Sequence, residues 1–318
     1  VASGKNNSLD MIEVSGISKS FGQIKAVDDL SFKIKDGEIV GLLGPNGAGK
    51  TTTMRIMTGF LSADSGQVVI NDIDISENPI EAQAQIGYMP EGNPLYKDML
   101  VSEMLEFAGQ LRGLSLQENK EGIDFAVDAT NISDVYYRPI AELSKGYRQR
   151  VGMASVLLHK PSVLILDEPT EGLDPNQRNE VRNLIKKLAR GHTIIMSTHV
   201  MQEVEAVCNR IILINRGKLV ADGSPTKLRR EAGAGGGLRV TLEGDKLLSI
   251  LKTIKGVDKV EIVKKDGKKV DLRLIPSDAK LALQPEISKY ARKYGWIIWK
   301  LGSEEKNLEE VFQALTEV

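Results

Sequence analysis

The chain has 318 residues, 41% hydrophobic and 27% charged, with a formal net charge of -1. That length suits two globular domains, and the charge balance lacks the basic excess of a nucleic-acid binder, so nucleic acid is not expected as a partner. No apolar run approaches the roughly 18 residues of a membrane span, and the single cysteine, Cys208, excludes an intrachain disulfide framework and is read as a free thiol.

The polar start, residues 1–10, is not a signal peptide and reads as a processed or expression-derived end. Met11 to Val14, Leu30 to Ile34 and Gln67 to Ile70 alternate as strands, with turn signals at Asp36-Gly37 and Asp64-Ser65-Gly66. Ile39 to Leu43 reads as a fully buried strand, followed by a glycine-rich loop and a helix from Lys50 to about Thr58. Residues 99–160 are expected to be helical, with Val101, Met104, Leu105, Ala108 and Leu111 on one face. A strand at Val163 to Leu166, a helix from about Asn176 to Leu188, a strand at Thr193 to Met196 and a helix from Val200 to Val207 come next. Strands at Ile211 to Ile214 and Lys218 to Ala221 close this part, and the alternation predicts a largely parallel α/β sheet.

Residues 231–237, with four glycines in seven, read as a flexible linker. Beyond them the order is strand (Leu238 to Leu242), helix (Asp245 to Ile254), strand (Val257 to Val263), turn (Asp266-Gly267), strand (Lys269 to Leu274), helix (about 279–293, shortened or kinked by Pro285), strand (Trp296 to Leu301), helix (308–315). This βαββαβ order predicts a ferredoxin-like α+β domain. The expected division is a main domain at 11–230, its helical part at about 92–160, the linker at 231–237 and an accessory domain at 238–318.

Gly44-Pro45-Asn46-Gly47-Ala48-Gly49-Lys50-Thr51 fits G-x-x-x-x-G-K-[ST], between a buried strand and a helix as the motif requires. Glycines let successive N–H groups line a concave anion site, to which the helix N-terminus adds its positive end. Lys50 would place a cation on the β and γ phosphates, Thr51 a hydroxyl on Mg²⁺, and Thr52 a bond on the α phosphate. Val163 to Leu166 is an apolar strand ending in Asp167 and Glu168. Alternation would turn the two acids to different tasks: Asp167 to the shell of Mg²⁺, Glu168 to the water attacking the γ phosphate.

Leu143-Ser144-Lys145-Gly146-Tyr147-Arg148-Gln149-Arg150 resembles the LSGGQ signature of ABC ATPases, with Ser144 a natural N-cap. Lys145 and Tyr147 depart from the common pattern. The resemblance covers residues 11 to about 228 and implies a P-loop ABC cassette: a RecA-like parallel core, an antiparallel β subdomain and a helical subdomain. It implies that Ser144 and Gly146 bind the γ phosphate held by a second subunit. Ile86 to Glu91 is similar to the Q-loop, with Glu91 where glutamine is usual and still able to ligate Mg²⁺. Glu171-Gly172-Leu173-Asp174 resembles the D-loop, with Asp174 at its acidic position. His199 matches the switch histidine and Phe21 the aromatic that stacks on adenine. Glu168, His199 and Lys50 are then the catalytic residues.

The implied protein binds ATP and Mg²⁺, dimerises, and drives a separate transmembrane permease from the cytoplasmic face of a bacterial inner membrane. Asn307 to Phe312 resembles the tail of bacterial exporter ATPases. Pro90 to Tyr96 and the signature look most like the ATPase of gliding-motility transporters. Leu95 and Tyr96, in a groove-forming segment at 92–140, are candidate permease contacts. A soluble ABC ATPase acting on a non-transport partner is the alternative, although one phosphate loop and no room for coiled-coil arms argue against it. A GTPase would need N-K-x-D, and Asn119-Lys120 is followed by Glu-Gly. A non-catalytic module would lack Lys50, Asp167 or Glu168.

Overall fold

The computed structural model describes residues 10–232, 237–277, 281–303, 309–310 and 312–313. The polar N-terminal stretch, the centre of the glycine-rich linker and most of the expected last helix lie outside the described residues. The chain divides between Ser224 and Pro225 into two compact units.

The first unit opens with a long hairpin, β1 (Asp10–Phe21) and β2 (Ile24–Lys35), antiparallel in register Val14↔Phe32. Gly22, at φ 58, supplies the left-handed corner that this tight turn needs. β3 (Ile39–Leu43) leads through the phosphate loop into α1 (Lys50–Met57). Then come β4 (Ser65–Ile70), β5 (Ile73–Asp74), α2 (Pro79–Ala84) and β6 (Ile86–Met89). The helical region holds three α-helices, α3 (Val101–Leu111), α4 (Leu116–Thr130) and α5 (Lys145–Leu157), with two single 3-10 turns, Ser133–Val135 and Ile140–Glu142, between the last two. Ser115 and Glu118 form a capping box at the start of α4, which ends the preceding loop. β7 (Val163–Leu166), α6 (Pro175–Leu188), β8 (Thr193–Thr198), α7 (Met201–Val207), β9 (Arg210–Asn215) and β10 (Lys218–Gly223) complete the unit.

Two sheets result. One is antiparallel, in order β2-β1-β4-β5; the other runs β10-β9-β3-β8-β7-β6, parallel from β9 to β6 with β10 antiparallel at one edge. β7 and β8 are buried at every position, as strands covered on both faces must be. A single core joins the sheets through Met54, Ile56 and Met57 of α1, packed with Ile12, Leu30, Ile165 and Ile195. Burying such side chains contributes about 1.5–3 kcal/mol each, which anchors the start of α1 and with it the phosphate loop. Cys208 is buried and unbridged, and burial, helped by Glu203, pushes its thiol up to about 12, so it is chemically quiet.

The second unit begins with α8 (Pro225–Ala232), so the first residues of the expected linker are helical. β11 (Leu238–Glu243), α9 (Leu247–Leu251), β12 (Val257–Asp266), β13 (Lys269–Pro276), α10 (Gln284–Tyr294) and β14 (Ile297–Ser303) follow. The sheet order is β12-β13-β11-β14, all antiparallel, the arrangement a ferredoxin-like βαββαβ chain produces. Val240, Leu242, Leu272, Leu274, Ile287 and Trp296 form its core. α9 is shorter than expected, and Pro285 stands in the first turn of α10, where its missing N–H costs nothing. It sets the start of that helix and does not kink it.

Leu111 departs from the helical stripe: it is 71% exposed, and Gly109 takes the buried position beside Leu105. No helix among the described residues is long and apolar enough to cross a membrane.

Candidate nucleotide site

A cleft of about 530 Å³ opens over the phosphate loop. Its walls bring together Phe21, residues 46–52, Glu91, Glu168 and His199. Phe21, 50% exposed at the tip of the first hairpin, stands with Ile24 and Ala26 at the apolar end. The loop's shape is imposed by its glycines. Gly47 has φ 79 and Gly49 φ 103, and a Cβ on Gly49 would meet the Ala26 carbonyl oxygen at 2.4 Å. Gly44 is tight for another reason: its Cβ would meet the Ile214 carbonyl oxygen at 2.3 Å.

Lys50 is buried, and its Nζ donates to the carbonyls of Gly44 (2.8 Å) and Pro45 (3.2 Å). Burial pushes its ammonium below the ordinary lysine range, while the charges of Glu168, Asp167 and Glu91 pull the other way. Asp167, 1% exposed, turns to Thr51, whose Oγ1 lies 3.5 Å from Oδ1. Glu168 turns to His199, whose Nδ1 lies 3.1 Å from both carboxylate oxygens. The two neighbouring acids therefore serve different partners; both lie beyond β7, and the left-handed backbone of Glu168 (φ 49), not strand alternation, turns them apart.

Ser197 is a residue that sequence reasoning did not single out. Its Oγ donates to Asp167 Oδ1 (2.5 Å) and accepts the Glu168 N–H (2.9 Å), holding both acids from β8. A hydroxyl in a fully buried strand was the available signal, since such a group must find a partner. Glu203 is a second. Its buried carboxylate accepts from Thr170 Oγ1 and Thr198 Oγ1 (3.2 Å) and pairs with Arg178 at 3.3 Å. It ties the turn after Glu168 and the turn bearing His199 to α6.

The donor set suits a hard divalent cation. Asp167 Oδ2 is buried with no hydrogen-bond partner among the described residues, and such an oxygen is costly unless something charged or polar reaches it. Glu91 and Glu171 add carboxylates at the rim. Glu91 is held above the ordinary carboxylate range by desolvation first and by the charge of Glu171 next. No closed cage of three or more His, Cys, Asp or Glu exists among the described residues; an ion here would share its shell with substrate phosphates, the usual habit of Mg²⁺.

Three expected site residues stand elsewhere. Ser144 caps α5, its Oγ accepting the Tyr147 N–H at 3.3 Å. Gly146 packs against Gln177, and Asp174 caps α6 by accepting from Asn176 and Gln177. None of them lines the cleft of its own chain.

A family model described as ABC transporter matches residues 27–171. The uncharacterized ABC transporter ATP-binding protein MJ1023 of Methanocaldococcus jannaschii is 40% identical over 213 residues, covering 67% of this chain and 77% of that protein. This chain belongs to the ABC transporter ATP-binding proteins. The Nod factor export ATP-binding protein I of Paraburkholderia xenovorans is 37% identical over 218 residues, 68% of this chain and 72% of that one. Among solved structures, the dimeric structure of MJ0796, a bacterial ABC transporter cassette, is 25% identical with a TM-score of 0.59, covering 67% of this chain and 98% of its own. The protein is thus the ATPase subunit of an ABC transporter.

Proposed function

We propose that two copies of this chain hydrolyse ATP at shared sites and drive export through a separate permease. The observation that carries the reading is the split between the cleft and the signature. One copy brings Lys50, Thr51, Glu168 and His199 to a single cleft, with Asp167 beside Thr51, while its Ser144 and Gly146 do not line it. A second copy's Ser144 helix end would supply the missing anion donors. Glu168 then takes a proton from the water attacking the γ phosphate, and His199 holds that carboxylate in place. Thr51 and Asp167, with Glu91 at the rim, would hold Mg²⁺, which neutralises charge on the phosphates when bound. Support for export comes from the similarity to the Nod factor export ATP-binding protein I. The gliding-motility resemblance rests on Pro90 to Tyr96 and the signature alone.

Docking of the permease is supported by a groove of about 820 Å³ on the first unit, lined by Phe60, Ile80, Leu111, Arg112 and His159 among others. Phe60, Ile80 and Leu111 are exposed along it. Leu95 and Tyr96 do not line this groove, and Tyr96 packs edge-on against Phe107. The second unit we take as an accessory domain, a brace or regulatory cover. The site is tested by size-exclusion of the Glu168→Gln protein with ATP and Mg²⁺: a dimer is expected, and a monomer both alone and with its permease would overturn the shared site. The transport role is tested by purification from native membranes. A multi-span protein should co-elute, and recovery of a soluble partner in its place would favour the non-transport alternative and places the chain at the cytoplasmic membrane face no longer.

Two smaller effects follow from these surfaces. Phe21→Ala should weaken nucleotide binding by about 0.5–1.5 kcal/mol, the usual worth of aromatic stacking, with turnover at saturation little changed; equilibrium titration with a fluorescent nucleotide reads this. His159 is pushed down to about 4, by burial first and by the Arg112 charge second. The folded protein therefore binds fewer protons than the unfolded chain between pH 6.5 and about 4, so this group's contribution is lost as pH falls through that window. Urea unfolding across it should show a steeper decline for the wild type than for His159→Gln, and parallel curves would refute the assignment.

A further inference from the structure

The turn that carries Glu168 is not held by its sheet alone. Glu168 has φ 49, a left-handed backbone for a residue with a Cβ, and it precedes Pro169, whose ring disfavours helical backbone in its neighbour. Such a conformation persists only where the surroundings over-determine it. Three hydrogen bonds do so. The Glu168 N–H donates to Ser197 Oγ (2.9 Å), the Glu171 N–H donates to the Glu168 carbonyl (3.1 Å), and Gln149 Nε2 donates to the Pro169 carbonyl (3.0 Å). The third comes from α5, the helix that Ser144 begins.

Gln149 is 4% exposed. Chemistry dictates which way its amide points: a carbonyl oxygen only accepts, so Nε2 must face Pro169. Oε1 then faces Asn93, whose Nδ2 donates to it at 2.8 Å and to the Arg148 carbonyl at 2.8 Å. Asn93 is itself left-handed, at φ 39, two residues after Glu91. Helix α5 approaches this loop so closely that a Cβ on Gly152 would meet Asn93 Oδ1 at 2.1 Å. The loop after Glu91, the helix of the signature and the turn of Glu168 therefore meet on one buried amide.

We propose that Gln149 is a positioning residue for hydrolysis. Its two hydrogen bonds set the Glu168 carboxylate and transmit movement of the Asn93 loop to it. Gln149 does not line the nucleotide cleft, so it acts through Glu168, and the proposal rests on Glu168 being the base.

The test uses the full chain with four variants: Gln149→Met, which keeps the volume and removes both of its bonds; Asn93→Gly, which keeps the backbone freedom and removes the bond to Gln149 together with that to the Arg148 carbonyl; Glu168→Gln; and Gln149→Met with Glu168→Gln. Misplacing a reacting group by a fraction of an ångström to an ångström costs up to about 10²-fold, so Gln149→Met should lower kcat roughly 10- to 100-fold with KM and nucleotide Kd near wild type. Asn93→Gly should shift kcat in the same direction by less, which keeps the idea testable if Gln149→Met folds poorly. Added to Glu168→Gln, the Gln149→Met change should lower turnover no further, because residues acting as a unit are not additive. Wild-type kcat in Gln149→Met, or losses that multiply in the double variant, would overturn the proposal while leaving Glu168 as the base. Wild-type turnover in Glu168→Gln would remove the base and this proposal together.

Discussion

Glu168→Gln is expected to cut ATP turnover about 10²–10⁴-fold, the usual worth of a positioned general base, while nucleotide binding survives. The substitution is close to isosteric, so it removes proton acceptance and the negative charge that faces Lys50 while leaving the shape intact. The amide oxygen can still face His199 Nδ1, which lies 3.1 Å from the carboxylate. The Glu168 N–H bond to Ser197 involves backbone and persists. Lys50 and the loop glycines, which meet the phosphates, are untouched. A steady-state phosphate-release assay alongside nucleotide titration separates the two effects. Wild-type turnover would remove Glu168 from the chemistry, and lost binding would mean that its charge serves the ground state. His199→Ala should slow turnover less, since it frees the carboxylate without deleting it.

The parts of this site that could be read from residue order are those in which chemistry constrains neighbours in the chain. A phosphate cradle needs consecutive glycines and a lysine at a helix start. Two acids must follow a buried strand directly. Such patterns survive as spacing, and Lys50, Thr51, Glu168 and His199 accordingly meet in one cleft. Ser197 and Gln149 left no such trace. Ser197 reaches Asp167 only because β7 and β8 are parallel neighbours in register Leu166↔Met196, a fact of sheet order. Gln149 reaches Asn93 and Pro169, 56 and 20 residues away in sequence, only because α5 packs between their two loops. The helical stripe failed at Leu111 for a related reason. Periodicity assigns a residue to a face, and the far end of α3 has no element covering that face, so Leu111 lines an open groove with Phe60 and Ile80. The accessory unit's order of strands was legible from its alternating pattern, but α9 was overestimated: Lys246, at φ 56, starts the helix late and leaves it five residues long.

Gly49→Ala should abolish nucleotide binding and destabilise the fold, and the reason is visible in two independent constraints. At φ 103 the residue lies outside the backbone regions an alanine tolerates, which costs about 1–3 kcal/mol. The added Cβ would also stand 2.4 Å from the Ala26 carbonyl oxygen, a backbone atom in β2 that cannot rotate away. Overpacking of that kind adds about 1–3 kcal/mol. Relief requires the loop to lift off β2, but the loop is pinned there: the Gly217 N–H donates to the Ala48 carbonyl and the Asp28 N–H to the Gly217 carbonyl, both at 2.9 Å. The first turn of α1 would shift with it, because Thr53 bonds the Gly49 carbonyl through both its N–H and its Oγ1 at 2.9 Å. Lys50 and Thr51 would then leave the phosphate positions. Gly47→Ala is the matched control: φ is 79, but nothing lies within 4 Å of its Cβ, so only the backbone cost applies. Thermal unfolding should therefore rank wild type above Gly47→Ala and Gly47→Ala above Gly49→Ala. Wild-type affinity for ATP in Gly49→Ala would show that the contact of this glycine with β2 does not shape the cradle.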